Sequence, residues 1–263
     1  MIPSFLYMPF SIATWNVNSL RARMDLLLYW LKSRKIDVLC LQETKVEDGQ
    51  FPKEIFEELG YHVLFKGEKA YNGVCILSMY PFKSIKKDFG NIEGEQKRIL
   101  EASIDDFTII NAYFPHGKIP DSSSFYYKID FVEGLRLYLD ENFGSNDNLI
   151  LTGDFNIAPE EIDVFDADFL KNAIGFHPRE REALLYLKEW GFIDLFRHCN
   201  KNVKGYTWWD YRNSSFKKNK GMRIDHIWAS EKMAEHCKKC IIDKEMRGKP
   251  KPSDHAPVIA EFG

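Results

Sequence analysis

Short β-prone runs alternate with helical patterns along this chain, and that alternation constrains the fold more than any other feature. Residues 10–15 are apolar and β-prone, and apolar side chains then recur at helical spacing from residue 20 to residue 31. A buried strand is predicted at 37–41, and a short helix that begins with proline is predicted at 52–59. The alternation continues to the end of the chain, which predicts an α/β fold.

The remaining elements follow the same two patterns. Strands are predicted at residues 61–65, 73–78, 99–104, 107–113, 148–152, 206–209, 224–228, 239–243 and 256–262. Helices are predicted at 125–140 and 178–190, and Gly191 closes the second one. No linker rich in proline, glycine or serine interrupts the 263 residues. We therefore expect a single domain over residues 1–263, with 1–9 as a short N-terminal extension.

One weak internal repeat is present. Residues 12–16 and 149–156 are both β runs that end in an aromatic residue and an asparagine. If two halves of the protein are built alike, these strand ends meet. So short a match also arises by chance.

The composition is that of an ordinary globular protein, with 44% hydrophobic and 29% charged residues. The longest apolar runs fall far short of a membrane span, and the first ten residues lack the basic start of a secretory signal. Five cysteines are an odd number, which disfavours a disulfide framework. We expect a cytoplasmic monomer that does not act at a membrane, associated with the nucleoid if the source is prokaryotic.

Basic residues are concentrated in the last third of the chain, although 36 basic and 39 acidic residues leave a net charge of −3. Residues 197–223, the basic strip, contain eight basic residues and one acidic residue, and a second basic cluster spans 238–251. Such a strip suits a protein that binds phosphates. A solvated, lysine-rich surface would have the same composition.

Polar side chains follow several of the predicted strands, where α/β folds usually carry their sites. Asn16 and Asn18 follow the first strand, and Glu43 follows the strand at 37–41. Asp154 and Asn156 lie two residues apart at another strand end and point to the same side. Each of these alone is compatible with a solvated loop or a turn.

A carboxylate and a histidine complete the set of candidates. Asp225 interrupts an apolar strand, so a cation or a histidine must be its partner. Asp254 and His255 lie just before the last strand, and His255 is a candidate histidine partner for Asp225. The candidate oxygen and amide ligands suit Mg²⁺ or Mn²⁺ better than zinc, and with one histidine they suit metal-assisted hydrolysis of a phosphate ester. They are Asn16, Asn18, Glu43, Asp154, Asn156, Asp225 and Asp254.

Other catalytic motifs are missing from the sequence. A serine-hydrolase elbow, a Walker loop and a dinucleotide fingerprint do not occur. Cys237 and Cys240 form half of a zinc or redox motif that has no second half.

Six motifs in order resemble the exonuclease III family of apurinic/apyrimidinic endonucleases, in the endonuclease/exonuclease/phosphatase superfamily. The motifs are residues 15–23, residues 41–45, Tyr113-Phe114-Pro115, residues 153–159, residues 223–225 and residues 253–257. The resemblance extends from Phe10 to Phe262. Each motif alone is moderately specific, whereas six in this order are a strong signal.

The resemblance implies a fold and an activity. The fold is a DNase I-like, four-layer α/β sandwich, in which two packed mixed β-sheets are flanked by helices. The activity is Mg²⁺-dependent cleavage of the DNA backbone 5′ to abasic sites, with 3′–5′ exonuclease and 3′-end trimming, and Mn²⁺ is a substitute ion. The implied partner is double-stranded DNA with abasic sites or blocked 3′ ends.

The resemblance also implies roles for the candidate residues. Glu43, with Asn16 and Asn18 near it, holds the metal, and Asp254 joins the metal shell. Asp154 takes a proton from the attacking water, and Asn156 orients that water or the pentacovalent phosphate. The metal shell as a whole is drawn from Asn16, Asn18, Glu43, Asp154, Asn156, Asp254 and His255.

Two further roles concern the phosphate charge. His255 donates a hydrogen bond to a non-bridging oxygen and is oriented by Asp225. Tyr113 stabilises the developing negative charge as phenol or phenolate. Whether Asp154 or Tyr113 is the base, and whether one or two metal ions act, stays open at this point.

Substrate contacts are implied at seven positions. Trp208, Met222 and Ile224 match the family's sugar pocket, although strand-borne tryptophans are often simple core residues. Arg212 matches a position that enters the duplex from the minor groove. The other expected contacts are Arg21, His116 and Lys118.

Two positions depart from the family pattern. His116 stands where asparagine or glutamine is frequent, which affects one phosphate hydrogen bond. Asn18 stands where some members have aspartate, so metal affinity depends more on Glu43.

Two other functions compete with this one. A phosphatase or phospholipase of the same superfamily acts on small phosphate esters, but such relatives tend to have histidine in place of Tyr113 and lack the basic strip. A nucleic-acid-binding module with a decayed site is disfavoured because every candidate ligand is present.

Overall fold

The computed structural model describes residues 9–92, 94–144 and 146–263, so all of the expected N-terminal extension except Pro9 lies outside the described residues. The strands are β1 (Phe10–Asn16), β2 (Val38–Gln42), β3 (His62–Lys66), β4 (Val74–Ser78), β5 (Phe82–Lys86), β6 (Ile99–Ile104), β7 (Phe107–Tyr113), β8 (Leu149–Asp154), β9 (Phe192–Asp194), β10 (Asp225–Ser230), β11 (Cys237–Ile242) and β12 (Val258–Phe262). The α-helices are α1 (Leu20–Arg34), α2 (Lys53–Glu57), α3 (Ser123–Asn142), α4 (Ala167–Leu170), α5 (Pro178–Lys188), α6 (Leu195–Cys199) and α7 (Glu231–Ala234). Short 3-10 helices occur at Asp48–Gln50, Gly90–Ile92, Glu161–Asp163, Arg212–Ser214 and Lys244–Gly248.

The strands form two six-stranded mixed sheets. The strand order is β11-β12-β1-β2-β4-β3 in the first sheet and β5-β6-β7-β8-β10-β9 in the second. The pairs β1–β2 and β7–β8 are parallel, and the other pairs are antiparallel.

Four layers result because each sheet buries both of its faces. One core cluster joins the facing sides of the two sheets, with Ile12 and Ile76 from the first and Ile109 and Ile227 from the second. A second cluster packs α3 and α5 on the outer face of the second sheet, and a third packs α1 and α2 on the outer face of the first. Near-continuous apolar strands are the sequence signature of sheets covered on both sides. The predicted DNase I-like sandwich is confirmed.

The two sheets repeat one strand order, but β1 corresponds to β7 and β2 to β8, because α1 joins the parallel pair β1–β2 as α3 joins the parallel pair β7–β8. The internal repeat in the sequence therefore compares strands that are not structurally equivalent. β1 pairs in parallel with β2 and antiparallel with β12, and β8 pairs in parallel with β7 and antiparallel with β10. β1 and β8 also pack against each other between the sheets. The ends of β1 and β8 do meet, since Asn16 on β1 donates to Asp154 on β8, but the reason is sheet packing and not equivalence of the two strands.

A buried polar link holds the two sheets in alignment just below these strand ends. The Gln42 amide nitrogen donates to Thr14 Oγ1 at 2.9 Å and to Asn111 Oδ1 at 2.7 Å. Asn111 Nδ2 in turn donates to the carbonyls of Leu41 and Cys75, at 3.0 and 2.9 Å. A buried amide without partners costs about 1–3 kcal/mol, so sliding one sheet over the other is penalised at this point.

The strand predicted at residues 206–209 is wrong. Trp208 forms only isolated bridges, to Met222 and to His255. The N–H groups of Thr207 and Trp208 both donate to the Met222 carbonyl, and the Ala256 N–H donates to the Thr207 carbonyl. The backbone hydrogen bonds therefore go to loops on both sides instead of forming a ladder.

Two edge strands were not predicted. β5 follows Pro81, and the side chains of its three central residues are exposed, so it lacks an apolar signal. β9 has only three residues. Edge strands that are short or carry lysines are common, because such features discourage pairing with another chain.

Two other expectations concern membranes and cysteines. Among the described residues, no helix is long and apolar enough to span a bilayer. All five cysteines are free thiols. Cys237 and Cys240 belong to the core cluster between the sheets, so the half motif is part of the core packing.

Candidate active site

The strand register brings three predicted site residues side by side. Asp154 ends β8 and pairs with Tyr113 at the end of β7 on one side and with Asp225 at the start of β10 on the other. Paired residues on neighbouring strands project to the same face of a sheet. Sheet geometry alone therefore aligns a phenol and two carboxylates.

Close backbone packing allows this alignment. Gly153 has φ +140°, and a Cβ built on it would lie 1.9 Å from the carbonyl oxygen of Ala112 on β7. Any side chain at this position would push β8 away from β7. This glycine therefore lets the backbones of β7 and β8 approach each other closely.

Three turn residues redirect side chains at the strand ends. Asn18, Glu43 and Asn156 have φ values of 43°, 51° and 53°, in the left-handed region that non-glycine residues seldom adopt. Asparagine tolerates this region, but glutamate does not favour it. Residues with such backbone geometry tend to occur at functional sites.

Asn16 connects the two sheets at the site. Its Nδ2 donates to Glu43 Oε1 and to Asp154 Oδ2, both at 2.8 Å. Its Oδ1 accepts a hydrogen bond from the Asn18 N–H at 2.9 Å. Both hydrogens of the Asn16 amide are used on carboxylates, so its orientation is determined.

Asp154 is further held by Asn156. The Asn156 N–H donates to Asp154 Oδ1 at 2.9 Å, and Asn156 Nδ2 donates to Asp154 Oδ2 at 3.3 Å and to the Phe114 carbonyl at 3.0 Å. Asp154 is 1% exposed, and Asn156 is 8% exposed. The carboxylate is thus buried but well provided with donors.

His255 faces this carboxylate from the opposite side. Its Nδ1 lies 2.9 and 3.1 Å from the two Asp225 oxygens, and its Nε2 lies 3.8 Å from Asp154 Oδ2. Ser253 Oγ accepts the His255 N–H, and the Trp15 indole donates to the His255 carbonyl. The backbone on either side of the imidazole is therefore fixed.

Burial and neighbouring charges set the protonation of these groups. Burial raises the pKa of Asp154 to about 7. Burial alone would lower the pKa of His255, but Asp225 and Asp154 raise it to about 10. Burial alone would raise the pKa of the Glu43 carboxyl group, but the Lys45 ammonium, 2.8 Å away, lowers that pKa below its usual value. Glu43 is therefore a carboxylate, and His255 an imidazolium, at neutral pH.

Tyr113 is a phenol in this environment. Burial raises its pKa well above the usual value, and the Glu43 and Asp154 carboxylates act in the same direction. The Arg98 guanidinium lies 4.7 Å from the ring centroid and donates to the Tyr113 carbonyl at 3.1 Å. The phenol is thus a hydrogen-bond donor at neutral pH.

The donor set fits a hard divalent cation. A carboxylate oxygen each of Glu43 and Asp154 and a ring nitrogen of His255 lie within 4.8 Å of one another. The protonated ring has no lone pair for a metal ion, so the carboxylates are the donors that fit it. Mg²⁺ and Mn²⁺ prefer such carboxylate oxygens. Asn18 is a connector here, since its Nδ2 donates to Asp254 Oδ1 at 2.9 Å and its Oδ1 accepts from Lys45 Nζ at 2.6 Å.

A cavity of about 290 Å³ opens above these groups, with one polar and one apolar wall. Trp208, Met222 and Ile224 form part of the apolar wall. Trp208 is only partly buried, and its Nε1 donates to Asp254 Oδ2 at 3.0 Å, so it is not a simple core residue. The lining residues are Glu43, Tyr113, His116, Asp154, Asn156, Leu170, Ile174, Gly175, Trp208, Met222, Ile224, Asp254 and His255.

The other expected substrate contacts are exposed. His116 is exposed and lines the cavity, and its Nδ1 accepts the Lys118 N–H at 3.1 Å. Arg21 is exposed and donates to Gln50. Arg212, with 83% of its side chain exposed, forms an ion pair with Asp210. Arg21, Lys118 and Arg212 do not line the cavity.

Sequence reasoning missed a buried ion pair beside the site. Lys128 and Glu180 are both fully buried, and Lys128 Nζ lies 2.6 Å from Glu180 Oε1. A signal existed, because Lys128 lies on the same helical face as Phe125, Phe131 and Val132. A lysine on an apolar helical stripe requires a buried partner.

Comparison with known proteins identifies the family. A model of the endonuclease/exonuclease/phosphatase family matches residues 13–255. The chain belongs to this family. Within the family it is 38% identical to exodeoxyribonuclease III of Haemophilus influenzae, over 95% of this chain and 98% of that protein.

Solved structures of family members have the same fold. An AP endonuclease from Archaeoglobus fulgidus has a TM-score of 0.93 and 39% identity, covering 96% of this chain and 99% of that one. A 3′ phosphatase from Neisseria, bound to a product DNA hairpin, has a TM-score of 0.93 and 35% identity, covering 97% and 99%. The resemblance inferred from the six motifs is confirmed.

Proposed function

We propose that this protein is a Mg²⁺-dependent DNA-repair hydrolase that cuts the backbone 5′ to abasic sites. We include in the proposal 3′–5′ exonuclease and 3′-end-trimming activity, a monomeric state and a cytoplasmic location. The main observation is that Glu43, Asp154 and His255 meet at one cavity. The names of the relatives, an exodeoxyribonuclease III, an AP endonuclease and a 3′ phosphatase, support the same class of substrate.

Asp154 is the proposed general base. Burial raises its pKa to about 7, which is close to the ideal value for taking a proton from water at neutral pH. Asn16 and Asn156 hold its two oxygens in place. Tyr113 is disfavoured as the base because its raised pKa keeps it protonated.

His255 and Tyr113 are the proposed donors to the phosphate oxygens. The imidazolium carries a hydrogen on Nε2, which faces the cavity, while Asp225 accepts the hydrogen on Nδ1. The Tyr113 phenol lines the same cavity and supplies a second donor. Preorganised donors of this kind stabilise the charge of a pentacovalent transition state, and losing one typically costs ~10²–10³ in rate.

Glu43 is the proposed main metal ligand, with Asp154 and Asp254 as further oxygen donors. A bound Mg²⁺ would polarise the phosphate and neutralise the departing 3′-oxygen, and Mn²⁺ could replace it. Asn16 fixes the Glu43 carboxylate toward the cavity. Lys45, on the other carboxylate oxygen, keeps it ionised.

The apolar wall is the proposed sugar pocket. Trp208, Met222 and Ile224 offer a surface without hydrogen-bond partners for a base, so a baseless sugar fits better than a nucleotide. A baseless sugar also leaves the stack at lower cost than a paired nucleotide. The exposed Arg212 and the exposed lysines of the basic strip supply phosphate contacts around the pocket. Arg197 and Arg223 do not contribute, because both are held in ion pairs with Asp163.

Cleavage of a labelled duplex with one abasic site tests the proposal. We expect a cut 5′ to the site in Mg²⁺, no cut in EDTA, and little cutting of the same duplex with an intact base. Inositol phosphate and sphingomyelin, assayed under the same conditions, represent the competing function. Faster turnover of either one than of the abasic duplex would contradict the proposal.

A further inference from the structure

The buried ion pair Lys128–Glu180 joins two helices beside the active site. Lys128 is on α3, and Glu180 is in the first turn of α5. Both side chains have no exposed surface, and Nζ and Oε1 are 2.6 Å apart. A charged pair removed from water is expensive and seldom adds net stability over apolar residues of similar volume. The role of this ion pair must therefore lie in the segments of the chain to which it is hydrogen-bonded.

Lys128 holds backbone carbonyls of two segments that line the cavity. Its Nζ donates to the Asn156 carbonyl at 2.8 Å and to the His116 carbonyl at 3.3 Å. A Cβ on Gly117 would lie 3.2 Å from Lys128 Cδ, so the chain after His116 wraps closely around the lysine. All three donor positions of the ammonium are thus used, two of them on the active-site wall.

Glu180 holds a third segment of the same wall. Its Oε2 accepts the N–H groups of Gly175 at 2.7 Å and of His177 at 3.0 Å. The Gly175 carbonyl in turn accepts the Ala158 N–H at 2.7 Å. The segments around residues 116, 156 and 175 thus converge on one ion pair, although no described side chain of α3 or α5 lines the cavity.

We propose that Lys128 and Glu180 are positioning residues that hold Asn156 and His116 at the cavity, and that the hydrolysis rate depends on this pair. The inference rests on the proposed function, because Asn156 donates to both oxygens of Asp154, the proposed general base. Asn156 has φ 53°, so its backbone needs outside support to stay in place. A displacement of about 1 Å at a reacting centre can cost ~10²-fold in rate.

Three variants and a matched control separate positioning from folding. Lys128→Met leaves a buried carboxyl group without its cation and is expected to lower both Tm and kcat. The double variant Lys128→Met with Glu180→Gln removes both charges, and the introduced amide oxygen can still accept hydrogen bonds from backbone N–H groups. The single variant Glu180→Gln is the third member of the set. Leu139→Ala is the control, since it creates a cavity on α3 about 16 Å along the helix from Lys128.

Positioning predicts that stability and rate respond differently. The double variant should regain most of the Tm lost by Lys128→Met, while its kcat on the abasic duplex stays roughly 10- to 100-fold below the parent. KM should stay within about twofold, because the lost interaction acts in the transition state. Leu139→Ala should lose Tm and keep its kcat. A double variant with the parental kcat, or an equal kcat loss in Leu139→Ala, would overturn the proposal.

Hydrogen exchange provides a readout without catalysis. In the double variant the amides of Asn156 and Ala158 should exchange at least roughly tenfold faster than in the parent, while amides in β1 are unchanged. If the parent does not cut the abasic duplex, the proposed function fails, and this exchange measurement alone decides the positioning role. Unchanged exchange at both amides would then refute it.

Discussion

Replacing Asp154 by asparagine removes the proposed base with little change in shape. Loss of a positioned general base typically costs 10²- to 10⁴-fold in rate, so we expect kcat to fall by at least ~10²-fold, or about 3 kcal/mol of transition-state stabilisation. The geometry adds a second effect. Asn16 Nδ2 donates to Asp154 Oδ2 at 2.8 Å, so an amide nitrogen placed there would oppose another donor. Asn16 would turn away, and Glu43 would lose its hydrogen bond to Asn16.

The assay is single-turnover cleavage of the abasic duplex at saturating Mg²⁺, with Tm measured in parallel. Tm should stay near the parental value or rise, because a buried carboxyl group is replaced by a neutral amide. Asp140→Asn is the matched control, since Asp140 is 42% exposed on α3 and forms its ion pair with Arg136, far from the cavity lining. It should keep the parental rate. A rate for Asp154→Asn within threefold of the parent would remove Asp154 from the proposed role.

Three further predictions concern the metal, the salt dependence and the pH dependence. EDTA should abolish cleavage, and added Mg²⁺ should restore it while far-ultraviolet circular dichroism stays constant; cleavage that persists in EDTA would contradict a metal role for Glu43. Affinity for the abasic duplex should fall steeply as the salt concentration rises. Replacing the exposed Lys217, Lys218 and Lys220 by alanine should make the plot of log K against log salt concentration less steep. The slope should decrease by roughly 0.9 for each phosphate that these lysines neutralise. An unchanged slope would mean that these lysines do not touch DNA. Burial and the charge of Arg223 lower the pKa of His226 in the folded protein to about 4. Between about pH 6.5 and pH 4, His226 is therefore protonated in the unfolded chain but neutral in the folded protein. The free energy of unfolding should therefore decrease as the pH falls through that window, by up to roughly 3 kcal/mol, and less in His226→Gln. Parallel pH profiles for the two proteins in urea titrations would refute this assignment.

Much of the fold was predictable because local signals are strong where both faces of a sheet are buried. The apolar runs that became β1, β2, β7 and β8 could be identified without knowledge of their partner strands. The misplaced strand at 206–209 has the aromatic composition of a strand, but its hydrogen bonds go to loops that lie far away in sequence. Local composition carries no information about such partners.

The site divides in the same way. Residue types and motif order were sufficient to propose Glu43, Asp154 and His255 as members of one phosphate-ester hydrolase site, because oxygen ligands, an imidazole and a partner carboxylate have few other joint uses. Sequence could not choose between Asp154 and Tyr113 as the base. That choice depends on burial and on the fields of neighbouring carboxylates, which exist only after the two sheets have packed.

The sequence by itself determined the α/β class and the chemical inventory of the site, since both follow from side-chain type and short-range periodicity, whereas the four layers were implied by the family resemblance. Only the tertiary structure decided which site residues lie together, how each is protonated and which buried residues hold them in place. Lys128 illustrates the difference: a helical pattern places it on an apolar face, but Glu180, 52 residues later, and the carbonyls of His116 and Asn156 become its partners only in the folded chain. Long-range packing creates these interactions, and no local signal encodes them.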